Sequence, residues 1–233
     1  SCLHFMKKLT DFTGKKNQFM FITNELTHDP LMFNRDYTEP LDRSDPFWNQ
    51  SLGEDFNQLI MVSTMTAVLK KVGQWVEYLK ENDVFDNTRI IIVSDHGMYL
   101  KSKNFDDLTL EDIMSFKVSS MASMYNPLFM VKDFNSNAPF RSDFTFMTNA
   151  DTLFIAKSGL NVYNKNPFTG KEFVQNKSDG INVYPCSGFE AQVPIMKDKK
   201  KFTLDSKLGF HVSDNIFKGN NWVRIDNLNT EKR

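Results

Sequence analysis

The sequence predicts an α/β fold with a mixed, largely parallel central sheet flanked by helices. A long stretch with apolar residues at helical spacing, 56–82, is followed after a short turn by a run of mostly β-branched residues, Arg89–Val93. A helix that leads directly into a buried strand is typical of a crossover unit, in which neighbouring strands run parallel. Because 233 residues are enough for one substantial core, we expect a single α/β domain over 1–233.

Three further segments are predicted to be strands. Gln18–Asn24 is apolar on both faces of an extended chain, which is typical of a central strand. Pro127–Val131 is a second apolar run, and Asn221–Ile225 favours a last short strand. The segment 34–53 is rich in Asp, Pro, Asn and Arg and is predicted to be a surface loop.

Two helices are predicted from spacing and capping residues. In 56–82 the following residues recur at helical spacing: Leu59, Val62, Met65, Thr66, Leu69, Val72, Val76 and Leu79. A shorter helix is expected over Asn149–Ser158, with Asn149 as its N-cap and Gly159 at its carboxyl end.

The charge balance and the absence of certain motifs argue against several classes of function. The 28 Lys and Arg residues nearly balance the 29 Asp and Glu residues, so no strong charge indicates binding to nucleic acid or to an acidic membrane surface. No P-loop, dinucleotide-binding glycine pattern or Gly-x-Ser-x-Gly nucleophile turn is present. The two cysteines, Cys2 and Cys186, are compatible with free thiols or with one long-range disulfide.

An acid and an imidazole follow the Arg89–Val93 strand directly, as Asp95 and His96, and Gly97 comes next. Ligands of open α/β sheets bind outside the carboxyl ends of the strands. A carboxylate and a neutral imidazole are suitable ligands for Zn²⁺ or Mn²⁺, although a catalytic zinc usually has three protein ligands. The sequence therefore predicts part of a metal site, and a strand that ends in an ordinary polar turn remains the alternative.

His28 is the second candidate, because it follows the predicted strand Gln18–Asn24. If this strand and Arg89–Val93 were parallel neighbours, His28 and His96 would lie at one edge of the sheet, where His28 could bind a phosphate or sulfate oxygen. A histidine in a polar turn is the alternative for His28. His211 could also reach this edge, although a single histidine in a polar region is more often structural.

Two stretches, 19–30 and 78–97, resemble the alkaline phosphatase superfamily. The closer likeness is to the branch of membrane-anchored sulfatases and lipoteichoic acid synthases, which includes phosphoglycerol and phosphoethanolamine transferases. The more specific stretch is 78–97, with an amphipathic helix, an Asp-Asn-Thr turn and a strand that ends in Ser-Asp-His-Gly. Residues 125–132 are similar to the strand that follows the metal motif in this family, and the resemblance covers roughly residues 1–160.

The resemblance implies roles for three residues. Asp95 and His96 would bind a divalent metal, Mn²⁺ or Zn²⁺, and His28 would bind the head group of the substrate. The family's nucleophile and an acidic metal ligand come from segments before the one that resembles 19–30, so we expect them upstream of Ser1. Because Ser1 is not an initiator methionine, we expect the C-terminal part of a larger catalytic domain, inactive by itself.

The resemblance also implies a substrate class and a location. The full-length protein would be a phospho- or sulfo-ester transferase or hydrolase, anchored in the membrane by segments absent from this chain and acting extracytoplasmically on lipid-linked or polymeric envelope substrates. The chain itself is expected to be soluble and to bind no nucleic acid. Met98 and Tyr99 stand where the phosphoethanolamine branch usually has Gly-Glu, which argues against that head group. A non-catalytic module that binds an envelope polymer or a protein partner is the alternative.

Overall fold

A computed structural model describes residues 2–14, 17–28, 35–36, 38, 56–97, 124–160, 165, 170, 172, 179–184 and 209–225. The chain divides into two compact units, which are described separately. The first comprises residues 1–88 and 133–137, and the second comprises 89–132 and 138–233. The expectation of one domain over 1–233 stays a prediction.

The first unit is built on two helices, α1 (Cys2–Leu9) and α2 (Phe56–Glu81). Helix α2 confirms the long helix predicted over 56–82. Thr10, just after α1, ties the two helices together, because its Oγ1 accepts a hydrogen bond from Trp75 Nε1 at 2.9 Å. The rings of Phe12 and Tyr78 are also in contact, with their centroids 5.5 Å apart. Two aromatic side chains of α2, Trp75 and Tyr78, thus contact the residues that directly follow α1.

The buried side of α2 coincides only in part with the residues that recur at helical spacing. Leu79 is buried, but Val62 and Leu69 are 42% and 38% exposed, whereas Ser63 and Thr64 are fully buried. Apolar residues occur around most of the circumference of this helix, so their spacing predicts a helix without deciding which side packs. The tertiary contacts decide it.

Helix α2 ends in a local structure that its sequence supports. Asp83 has φ = 55°, in the left-handed region that Asp and Asn tolerate better than other non-glycine residues. Val84 then donates its backbone N–H to Leu79 O at 3.0 Å, and Asn82 Nδ2 donates to Tyr78 O at 2.8 Å. These bonds satisfy carbonyl groups that the last turn of the helix leaves without partners.

The prediction of a central strand over Gln18–Asn24 is wrong. The structure assigns no secondary structure to this segment, and Phe19 and Phe21 are 84% and 79% exposed. An apolar extended segment becomes a strand only where a neighbouring strand supplies backbone hydrogen bonds. Among the described residues no strand pairs with Gln18–Asn24.

In the second unit, β1 (Ile90–Val93) pairs with β2 (Phe129–Lys132). Both strands were predicted, but the pairing is antiparallel, with Ile90 opposite Lys132 and Val93 opposite Phe129. The expectation of a largely parallel central sheet is therefore wrong for the described residues, whose sheets are small and antiparallel. A parallel pair formed across α2 would need a strand before this helix, and among the described residues Gln18–Asn24 does not form one.

A short helix, α3 (Asp151–Lys157), lies inside the predicted helix of residues 149–158. Its carboxyl end is held by Arg89, whose Nη1 donates to Ile155 O at 2.9 Å and to Ala156 O at 3.0 Å. Gly159 follows with φ = 71°, the left-handed conformation expected of a glycine after a helix. The predicted N-cap is wrong, because the N-cap residue is Ala150, which makes no side-chain capping bond.

The carboxyl-terminal part of the second unit contains an antiparallel sheet of β3 (Ile181–Val183), β4 (Phe210–Val212) and β5 (Trp222–Arg224) in that order. Strand β5 confirms the last predicted strand. The hydrophobic core beside this three-stranded sheet is formed by Phe210, Val212 and Trp222. The indole Nε1 of Trp222 donates to Ile216 O at 2.8 Å, so this buried aromatic residue has a partner for its polar atom.

No helix among the described residues is long and apolar enough to cross a membrane. The expectation that the full-length protein is anchored in a membrane and acts extracytoplasmically stays a prediction. Cys186 lies outside the described residues, so the pairing of Cys2 and Cys186 also stays open.

Candidate functional site

The candidate site begins where β1 ends. Ser94 continues the pairing with the second strand by two bonds to Leu128: its backbone N–H donates to Leu128 O at 3.0 Å, and its Oγ accepts from Leu128 N at 2.8 Å. Three residues later, Gly97 N donates to Met124 O at 2.7 Å. The backbone on both sides of Asp95 and His96 is therefore attached to the segment 124–128, and the two side chains project from a tethered turn.

The side chains of Asp95 and His96 are accessible to solvent. The carboxylate of Asp95 is 87% exposed and the imidazole of His96 is 53% exposed. Asp95 Oδ1 accepts the backbone N–H of His96 at 2.9 Å, which orients the carboxylate through its own turn. Asp95 Oδ2 is directed toward the histidine ring, 3.7 Å from His96 Nε2. One carboxylate oxygen and one ring nitrogen thus lie side by side on an open surface.

This pair fits a divalent metal in two respects. His96 Nδ1 lies 2.5 Å from Gly97 O. Because a carbonyl oxygen only accepts hydrogen bonds, Nδ1 carries the hydrogen and the Nε2 lone pair of the neutral ring is available to a metal, an arrangement usual for metal-binding histidines. Zn–N and Zn–O distances of about 2.0–2.2 Å place two tetrahedral donors about 3.4 Å apart. The observed 3.7 Å between Asp95 Oδ2 and His96 Nε2 is close to that separation.

Two ligands do not complete a metal site. Within the part of the chain that the structure describes, no group of three or more His, Cys, Asp or Glu side chains could hold a metal ion. The sequence motif is therefore present as an accessible pair of donor atoms, and the expected metal identity, Mn²⁺ or Zn²⁺, stays a prediction.

Asn149 is a residue of this site that the sequence interpretation missed. Its Nδ2 donates to Ser94 O at 3.0 Å and to Asp95 O at 2.6 Å. The same residue was interpreted as the N-cap of the helix over 149–158, because Asn before an apolar run is typical of a helix start. It is 55 and 54 residues away from its two partners, so no local pattern relates them.

A family model matches the central part of the chain. Residues 57–165 match the model of the type I phosphodiesterase / nucleotide pyrophosphatase family. That family belongs to the alkaline phosphatase superfamily and is typically dependent on divalent metals. No curated protein and no solved structure gives a significant match to this chain.

The matched segment contains all of α2 but its first residue, together with β1, β2, α3 and the Asp-His pair. The likeness to the alkaline phosphatase superfamily is thus confirmed for 57–165, and it supports a phosphoester hydrolase or transferase. The narrower likeness to sulfatases and lipoteichoic acid synthases stays a prediction, as does the resemblance of 19–30, which lies outside the matched segment.

The structure places His28 in the first unit and Asp95 and His96 in the second. His28 is exposed, and its backbone N–H donates to Glu25 O at 3.0 Å in a turn. The role of His28 in substrate binding stays a prediction, because the expected parallel strands that would have joined the two histidines do not form in the described residues.

His211 has a structural environment. It lies on β4, where its Nδ1 is 2.9 Å from Asn182 Oδ1 and its Nε2 contacts Asp179 O. Both ring nitrogens therefore contact groups on or next to the neighbouring strand β3, which agrees with the structural interpretation of this histidine.

Proposed function

We propose that this chain is part of a metal-dependent phosphoester hydrolase or transferase in which Asp95 and His96 bind the divalent metal. The observation that carries the proposal is the separation of 3.7 Å between Asp95 Oδ2 and His96 Nε2, two accessible donor atoms of the kinds that Mn²⁺ and Zn²⁺ prefer. The family match of 57–165 supports the same chemistry, because it covers both residues.

A divalent cation at this pair would act as a Lewis acid that offsets negative charge on phosphoryl oxygens and activates an oxygen nucleophile. Asp95 would contribute an anionic oxygen, which also lowers the net positive charge of the metal together with its ligands. His96 contributes a neutral nitrogen whose orientation is set by the contact of Nδ1 with Gly97 O. The exposure of both side chains leaves room for a substrate phosphate.

We further propose that His28 donates a hydrogen bond to a nonbridging oxygen of the substrate, since an imidazole N–H is a suitable donor to an anionic oxygen. The remaining metal ligands and the nucleophile come from outside the described residues. We also propose that the chain alone is inactive and that the full-length protein acts extracytoplasmically, anchored in the membrane, on phosphodiester or sulfate-ester groups of envelope lipids or polymers. The support for this wider proposal is the resemblance of 78–97 to the alkaline phosphatase superfamily.

The test is turnover by the full-length protein of an aryl phosphodiester and of an aryl sulfate, each with Mn²⁺ and with Zn²⁺. Loss of one ligand removes several kcal/mol of charge stabilisation, so Asp95→Ala and His96→Ala should each lower kcat/KM for the preferred ester by at least about 100-fold. Asp86→Ala and His4→Ala are matched controls, because both residues are exposed and of the same types. These controls should retain wild-type turnover.

Wild-type turnover and wild-type Mn²⁺ affinity in Asp95→Ala and His96→Ala would contradict the proposed metal site. Robust turnover by the 233-residue chain alone, abolished by Asp95→Ala, would instead show that the nucleophile lies within this sequence. Absence of turnover of either ester by the full-length protein, together with binding of an envelope polymer, would favour the non-catalytic module.

A further inference from the structure

The backbone carbonyl groups of Ser94 and Asp95 both accept hydrogen bonds from one distant side chain. Asn149 Nδ2 lies 3.0 Å from Ser94 O and 2.6 Å from Asp95 O, and each of its two hydrogens can serve one carbonyl. These are the two residues that lead into His96. A side-chain amide therefore fixes two successive peptide groups of the turn that carries both proposed metal ligands.

This use of Asn149 differs from helix capping. A capping Asn accepts backbone N–H groups of the first helical turn through Oδ1. Here Oδ1 is buried and has no hydrogen-bond partner within the described part of the chain, and the N-cap residue of α3 is Ala150. Burial of an acceptor without a partner is unfavourable. The fold thus uses the donor end of Asn149, directed at the turn, and not the acceptor end that would serve α3.

The position of the Asp95 side chain depends on this backbone attachment. Its carboxylate is 87% exposed, and the contacts that orient it, with His96 N and His96 Nε2, are both inside the turn. No packing holds so exposed a side chain, so the direction of its Cα–Cβ bond follows from the orientation of its peptide groups. A small rotation of those peptides would separate Asp95 Oδ2 from His96 Nε2, and metal ligands need accurate placement.

We propose that Asn149 is a positioning residue for the metal ligands, acting through the carbonyl groups of Ser94 and Asp95. This inference rests on the proposed function, because it presumes that Asp95 and His96 bind a metal. Partners that orient metal ligands typically change metal affinity by about 10- to 100-fold when they are mutated. Removal of the Asn149 amide should therefore weaken Mn²⁺ binding about 10- to 100-fold.

The experiment measures Mn²⁺ binding to the full-length protein by isothermal titration and by the electron paramagnetic resonance signal of free Mn²⁺. Asn149→Leu removes both donors with a similar shape, and Asn149→Asp removes them while adding a negative charge. Weaker binding in both variants excludes a simple charge effect, because the added carboxylate would attract the cation. If either variant does not fold, Asn149→Ser, which adds no volume, takes its place.

Thr152→Val is the matched control. Thr152 lies in the first turn of α3, and its Oγ1 is also buried without a hydrogen-bond partner in the described residues, so its removal perturbs the same region without touching the turn. This variant should bind Mn²⁺ as tightly as the wild-type protein. A raised Mn²⁺ concentration should restore kcat in the Asn149 variants, which a general loss of folded protein would not allow.

The possible results separate the two proposals. If wild-type protein binds Mn²⁺ in a manner that requires Asp95 and His96, but folded Asn149 variants bind it equally tightly, the positioning role is wrong and the metal site stands. If Asp95→Ala and His96→Ala do not change Mn²⁺ binding, the metal site and the positioning role both fail. Equal weakening by Thr152→Val and by the Asn149 variants would also overturn the positioning role.

Discussion

Arg89 connects the start of β1 to the carboxyl end of α3, and its replacement tests whether that connection stabilises the second unit. Its Nη1 lies 2.9 Å from Ile155 O and 3.0 Å from Ala156 O. With only seven residues, α3 is too short to be stable by itself, so its stability must come from tertiary contacts of this kind. Arg89→Met keeps the length of the aliphatic stem and removes the guanidinium.

The expected loss follows from these contacts. A hydrogen bond to a charged group contributes about 1.5–3 kcal/mol, and a cation at a helix carboxyl end about 0.3–1 kcal/mol. Because Arg89 is only half-buried and water partly replaces its bonds, we take the lower part of the combined range and expect Arg89→Met to lower the free energy of unfolding by about 2–3 kcal/mol. Arg89→Lys keeps the charge without the planar donor and should lose about 1 kcal/mol.

Urea unfolding followed by circular dichroism measures these differences, and the melting temperature should fall by about 5–10 °C in Arg89→Met. Arg141→Met is the matched control, since Arg141 is an exposed arginine of the same unit. It should change the free energy of unfolding by less than about 0.5 kcal/mol. An Arg89→Met protein as stable as the Arg141→Met protein would refute the stabilising role of the Arg89 contacts.

Two further predictions concern local conformation. Gly180→Ala should lower the free energy of unfolding by about 2–4 kcal/mol, because φ is 82° and the new Cβ would lie 2.3 Å from Val212 O. Gly73→Ala should instead raise the free energy of unfolding by about 0.5–1 kcal/mol, because a Cβ at this position inside α2 meets no other atom. Equal melting temperatures for the two variants would contradict both expectations. The pKa of Asp11 lies below its ordinary value of 3.8 because the backbone N–H and the hydroxyl of Thr13 donate to its carboxylate at 2.8 and 2.7 Å, so Thr13→Val should raise that pKa in an NMR titration. Because the pKa of Asp11 is lower in the folded state than in the unfolded state, its carboxylate stabilises the folded protein at pH values above the unfolded pKa. This stabilisation is lost as the pH falls through the folded pKa. The stability difference between wild-type protein and Thr13→Val should therefore vanish in acid.

The elements nearest the site were predictable because their signals are local. Helix α2 follows from repeated apolar spacing, and β1 follows from consecutive β-branched residues. The pair Asp95 and His96 was found because it directly follows β1 in the chain. The segment Gln18–Asn24 has an equally strong strand pattern but remains without a strand partner in the described residues, which shows that the pattern alone does not create a strand.

Asn149 shows the limit of local patterns more directly. Its position before a helix made capping the expected role, and the structure instead directs its amide at Ser94 and Asp95. A side chain with both donors and an acceptor is compatible with either role, and the choice depends on which backbone groups lie within reach. That information is absent from the neighbouring sequence.

By itself the sequence determined the extent of α2, the position of β1 and the adjacency of a carboxylate and an imidazole after that strand, because periodicity and covalent neighbourhood act over a few residues. The tertiary structure decided which strand pairs with β1, in which direction, and which side chain orients the turn of Asp95 and His96. These features depend on hydrogen bonds between groups 34 to 55 residues apart. Such bonds form only when the chain brings distant segments together, and no local propensity specifies them.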